Sequence, residues 1–140
     1  MATSLNSAVS ATDVGYGNVV QCLRKRITYL DNNKVVTVGK IPPGASIVGG
    51  GVHVVTAFDD TGNDFLDIGF IGSTTDADAY ATDLTLAGIG YIVLDDLGTT
   101  NNIQGIVEHT ITATYAGANS NATAGVADVM VFFVTAYPSA

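Results

Sequence analysis

Almost every apolar run in this chain is short, rich in β-branched and aromatic residues, and closed off by turn formers, which constrains the fold to one built from strands. Residues 34–38, 46–58, 64–71, 90–94, 103–115 and 126–136 are dominated by Val, Ile, Thr, Phe and Tyr, with clusters of Gly, Asn, Asp and Pro between them. Such runs fit a pleated, half-buried surface, and such clusters supply the turns. With the alternating segment 16–29 the reading gives seven or eight strands. The expected fold class is all-β, a single-domain antiparallel β-sandwich over 16–140. Residues 1–15, mostly Ala, Ser, Thr and Asn with little periodicity, read as an extended N-terminal arm. At 140 residues the chain suits one domain, burying roughly two-thirds of its unfolded surface without needing disulfides or metal.

Alternation assigns faces. In Ile103 to Tyr115, the residues Ile103, Val107, His109, Ile111, Ala113 and Tyr115 share an apolar side opposite Gln104, Glu108, Thr110, Thr112 and Thr114. The last strand, Val126 to Thr135, is apolar on both faces, as in a central strand or one covered by another subunit, so self-association is expected. One short helix is expected at residues 73–84, where Ser73, Thr74 and Thr75 offer hydroxyl caps and Asp76 and Asp78 complement the helix dipole. Gly88 and Gly90 close it. The 47% hydrophobic content excludes a disordered chain, and the apolar runs fall short of the about 18 residues of a membrane-spanning helix.

Charge is segregated along the chain. All five bases, Arg24, Lys25, Arg26, Lys34 and Lys40, precede position 41, and the rest carries eleven acids and no base. A net charge of −8 opposes nucleic-acid binding, because phosphate contacts need Lys or Arg. The five bases are the candidate contact residues, docking on an acidic partner surface or on the acidic body of a neighbouring copy. The competing reading is a solvated edge strand whose charges block aggregation. The first residues lack a basic and then apolar leader, so synthesis in a cytoplasm is expected. Cys22 has no partner in the chain and reads as a small buried thiol.

No catalytic, cofactor or metal residues are assigned, and an enzyme is not expected. Asp59 to Asp64 and the pair Asp95 and Asp96 lack the calcium-loop pattern, and the first suits a tight hairpin turn. His53 and His109 have no nearby Cys or ligand spacing and read as packed core or interface residues. No Gly-x-Ser-x-Gly elbow surrounds any Ser. Gly49, Gly50 and Gly51 continue into a strand without a following helix or Lys, so they mark a bulge or a close backbone approach.

Ile41-Pro-Pro-Gly-Ala-Ser-Ile-Val, then Val52-His-Val-Val-Thr-Ala-Phe, a polar turn and Leu66-Asp-Ile-Gly69 resemble a pattern met in capsid decoration (cement) proteins of tailed bacteriophages. Asp76-Ala-Asp78-Ala-Tyr80 and Gly125-Val-Ala-Asp-Val-Met-Val are also similar to that family, so the resemblance covers residues 30–136. It implies a jelly-roll-like sandwich, a trimer, and a place on the outer surface of the virion. There the protein would bridge major capsid subunits, through the 1–15 arm and the 24–40 basic segment. Related patterns in tail and fibre proteins leave a second reading, a carbohydrate- or receptor-binding module using Tyr16, Tyr80, Tyr91, Tyr115 and Tyr137.

Overall fold

The computed structural model describes residues 19–98 and 107–135. Eight strands form two antiparallel four-stranded sheets, the sandwich expected from the sequence. In chain order they are β1 (Gln21–Thr28), β2 (Val35–Ile41), β3 (Ser46–Thr56), β4 (Asp64–Ile71), β5 (Thr75–Thr85), β6 (Gly90–Val93), β7 (His109–Gly117) and β8 (Val126–Val134). One sheet has the order β1-β8-β3-β6 and the other β2-β7-β4-β5. Only β4 and β5 are joined as neighbours in one sheet; every other connection crosses between sheets. The expected arm over 1–15 and the start of the 103–115 strand lie outside the described residues.

Alternation places the core where the pattern put it. Ile111, Ala113 and Tyr115 of β7 and Leu66 and Ile68 of β4 face Val52 and Val54 of β3 and Val129 and Val131 of β8, all essentially inaccessible. Tyr115, buried with them, donates from its hydroxyl to Asp64 Oδ1 at 2.6 Å. Burial, and then that hydrogen bond, raises the phenol pKa far above its ordinary value. The Phe58 ring packs 4.7 Å from the Tyr115 ring. β8 is central, between β1 and β3. The side of the sandwich between β1 and β2 is closed where Leu23 lies over Gly39, whose missing Cβ leaves room for the leucine methyls.

Three expectations are corrected. Residues 75–85 are not helical but form β5, paired along β4 from Phe65↔Thr85 to Ile71↔Thr75. Ser, Thr and Asp are weak helix formers, a two-turn helix is marginal alone, and the pairing buries Ala79, Tyr80, Ala81 and Leu84. Register shifts along β4 and a left-handed Asp83 (φ 53°) absorb the irregular spacing of that strand. Residues 59–64 are not a hairpin turn: they carry the chain from one sheet to the other. Cys22 is exposed rather than buried, because it lies on the outer row of an edge strand, opposite Phe132.

Candidate functional site

β1 holds three of the five bases, and period-two geometry splits them. Arg24 and Arg26 point outward, in register with Met130 and Asp128 of β8; Lys25 is in register with core-facing Val129 yet remains exposed at the edge. Asp128, its side chain only 4% exposed, is gripped from both arginines. Arg26 donates from Nε to Oδ1 at 2.9 Å and from Nη2 to Oδ2 at 3.0 Å, and Arg24 Nη2 donates to Oδ2 at 2.8 Å. The Arg26 hydrogen bonds, followed by those of Arg24 and the charges of both, outweigh burial and hold the Asp128 carboxyl down at about 2. Both arginine side chains are more than half exposed and keep unused N–H donors facing solvent.

Lys34 lies in the exposed turn after the 3-10 turn Tyr29–Asp31, and Lys40 lies on β2 of the other sheet, 3.7 Å from Glu108 Oε1. The five predicted contact residues therefore occupy one side of the sandwich, the β1–β2 side, as a line of charges and not as one pocket. Beside them, the outer face of the first sheet is largely apolar. Met130 and Phe132 are half-buried there, and Val48, Tyr91 and Val93 are exposed. Gly51 lets the Tyr91 ring lie against the sheet, since a Cβ at that position would meet the ring at 2.6 Å. A register shift between Ile47 and Gly49 opposite β8 is the bulge that the three glycines predict.

The opposite side is acidic. Asp76, Asp78, Thr82, Asp95 and Asp96 line a depression of about 390 Å³ between β5 and the turn after β6. The Thr82 N–H donates to Asp95 Oδ1 at 3.1 Å, and its hydroxyl donates to Asp96 Oδ2 at 2.6 Å. Hydrogen bonding to Asp76, then burial and repulsion from Asp76 and Asp67, raises the Asp78 pKa. Among the described residues no His, Cys, Asp and Glu are grouped as a metal site would require.

Sequence reasoning missed what Asp59 and Asp60 do. Asp59 accepts from the N–H groups of Thr123 and Ala124 at 2.7 and 3.0 Å and from the Thr123 hydroxyl at 2.9 Å. Asp60 accepts from the N–H groups of Gly62, Asn119 and Asn121 at 2.7 to 3.0 Å. Backbone hydrogen bonds lower the pKa of Asp59; for Asp60 burial acts upward and is outweighed by such bonds. These carboxylates staple the β7–β8 turn to the β3–β4 crossover, their oxygens accepting from N–H and O–H donors. A contact between acids and donors some 60 residues apart leaves no local signature in the chain.

His109 is buried on the apolar face of β7, as its alternation implies, stacked on Phe70 at 4.2 Å. Burial lowers its pKa. His53 is exposed on the outer face, in register with Asp128. Of the tyrosines offered for stacking on a sugar, Tyr80 and Tyr115 are buried in the core and Tyr91 is half-exposed, while Tyr16 and Tyr137 lie outside the described residues.

No family model matches the sequence, and no curated protein matches it. Two solved structures share its fold. A chain of the cyanophage Pam1 capsid asymmetric unit superposes with a TM-score of 0.66 at 17% identity, covering 96% of this chain and 97% of that one. A chain in the acidic stable capsid structure of Helicobacter pylori bacteriophage KHP30 gives 0.60 at 18% identity, covering 86% and 90%. At such identities the likeness is one of fold.

Proposed function

We propose that this chain is a structural virion protein of a tailed bacteriophage, bound to the outer surface of the capsid, where it stabilises the shell by bridging major capsid subunits. The observation that carries this reading is the end-to-end match of its fold to chains in two phage capsid structures. The strand orders β1-β8-β3-β6 and β2-β7-β4-β5 support it, because eight strands in two interlocked Greek keys make the jelly roll that viral capsid domains use. The motif resemblance of residues 30–136 to decoration proteins points to the same role and to a trimer. A protein that binds only the mature shell stabilises it by mass action, and many copies turn modest contacts into avidity.

The test is the copy number of this chain per particle, measured by quantitative mass spectrometry of purified virions against the major capsid protein. The expected result is hundreds of copies in a simple ratio to the shell subunit. A few copies per particle would overturn the decoration role and transfer the protein to the tail or fibres. A variant lacking residues 1–15 is expected to keep the sandwich and lose binding to capsids stripped of this protein.

A further inference from the structure

The two sheets end on sides of opposite charge. On one side, β1 and β2 are the terminal strands of their sheets among the described residues, and they and the turn between them carry Arg24, Lys25, Arg26, Lys34 and Lys40 against three acids, Asp31, Glu108 and Asp128. On the other side, β5 and β6 are the terminal strands, and β5 with the turn after β6 carries Asp76, Asp78, Asp83, Asp95 and Asp96 with no base. Three inter-strand spacings separate β1 from β6, about 14 Å. That exceeds the Debye length of about 8 Å at physiological salt, so within one molecule the two sides barely neutralise each other. A second copy can bring them into contact.

We propose that this chain self-associates head to tail, the β1–β2 side of one copy docking against the β5–β6 side of the next. Charge complementarity selects this pairing over its alternatives, because two basic sides or two acidic sides brought together repel. Among the described residues no strand pairs with the outer edge of β1, which leaves its backbone donors and acceptors on that side for the incoming copy. A contact between two different surfaces is heterologous, so it closes into a ring when the rotation permits and otherwise extends as a chain. The inference deepens the trimer of the proposed function by naming the two sides that meet, and its test on the purified protein in solution is separate from the copy number in virions.

The test uses complementary charge reversal, read by sedimentation velocity, with circular dichroism confirming the fold of each variant. Lys25→Glu with Lys34→Glu makes both sides acidic; Asp76→Lys with Asp78→Lys removes most of the negative charge of the β5–β6 side. Each double variant alone is expected to self-associate at least about tenfold more weakly than the natural chain, and a mixture of the two is expected to recover association. Should a reversed variant fail to fold, the neutral pairs Lys25→Gln with Lys34→Gln and Asp76→Asn with Asp78→Asn replace it, each expected to weaken association. A natural chain that is monomeric at low salt up to its solubility limit overturns the proposal. So does an oligomer that neither reversal weakens, which would assign self-association to the apolar face around Met130, Phe132 and Tyr91.

Discussion

Replacing Asp128 with Asn isolates the energy of the arginine clamp. The two side chains have the same shape, so the change removes charge from a side chain that is only 4% exposed without opening a cavity. In the fold the carboxyl titrates at about 2, against 3.8 when unperturbed. A depressed folded pKa contributes stability that is fully present above the unfolded value and is lost as pH falls through the folded one. By proton linkage the contribution is on the order of 2 kcal/mol at pH 7, falls to roughly half of that near pH 3 and is mostly lost near pH 2. For a chain of this size that corresponds to a melting temperature lower by roughly 7 to 10 °C at neutral pH. Urea unfolding of both proteins across this pH range reads the difference directly, and subtracting the two curves cancels the titration of every other carboxylate. The expected result is a gap that closes as the solution is acidified. A gap that is the same at pH 7 and below pH 3, or one under about 0.5 kcal/mol at neutral pH, as for an ordinary exposed ion pair, would refute the clamp as the source of stability.

Three further outcomes follow from the buried polar groups. Tyr115→Phe strips Asp64 of the hydroxyl it accepts from inside the core, and urea unfolding should show a loss of about 1 to 3 kcal/mol. Asp59→Ala frees the N–H groups of Thr123 and Ala124, so amide exchange should accelerate through the 119–124 turn while β7 and β8 stay protected. His109 has a folded pKa below 6.5, so the unfolded chain takes up its proton first and stability falls as pH drops below that value. His109→Phe should remove that part of the acid sensitivity, measured as the midpoint difference between pH 7.5 and pH 5.5.

Period-two alternation is strongest where one face of a strand is buried against the other sheet, and there the sequence was legible. Ile111, Ala113 and Tyr115 lie on the core side, with Thr110 and Thr114 partly exposed on the other, whereas Thr112 between them is buried as well and Val107 is exposed before β7 begins. β5 was misread for the opposite reason. Its acids and hydroxyls lie on an edge with few buried positions, so local capping chemistry outweighed a pairing that only β4 supplies. The segregation of bases before position 41 was legible, but not that it becomes a spatial segregation, which follows from β1 and β2 ending their two sheets on the same side. Asp128 left a signal that could have been used. A lone acid in an otherwise apolar strand needs a cation, and Arg24 and Arg26, two residues apart, were the pair able to reach it from one face of a neighbouring strand.

The two charged sides differ in a way that bears on what each is for. On the basic side the arginine charge is partly spent inside the molecule: it holds the edge strand to β8, and Lys25 on the core-facing row interrupts what would be a continuous apolar edge. That side is explained by the stability and solubility of a single copy. The acidic side is not. Asp76 and Asp78 share a hydrogen bond that raises the pKa of one of them, and Asp95 and Asp96 cap Thr82 beside them without a base to offset the repulsion. Like charges gathered on an edge strand oppose folding of the isolated chain, so the local rules of a stable sandwich do not account for them. An opposite charge brought from outside relieves that repulsion, and the β1–β2 side of a second copy carries one.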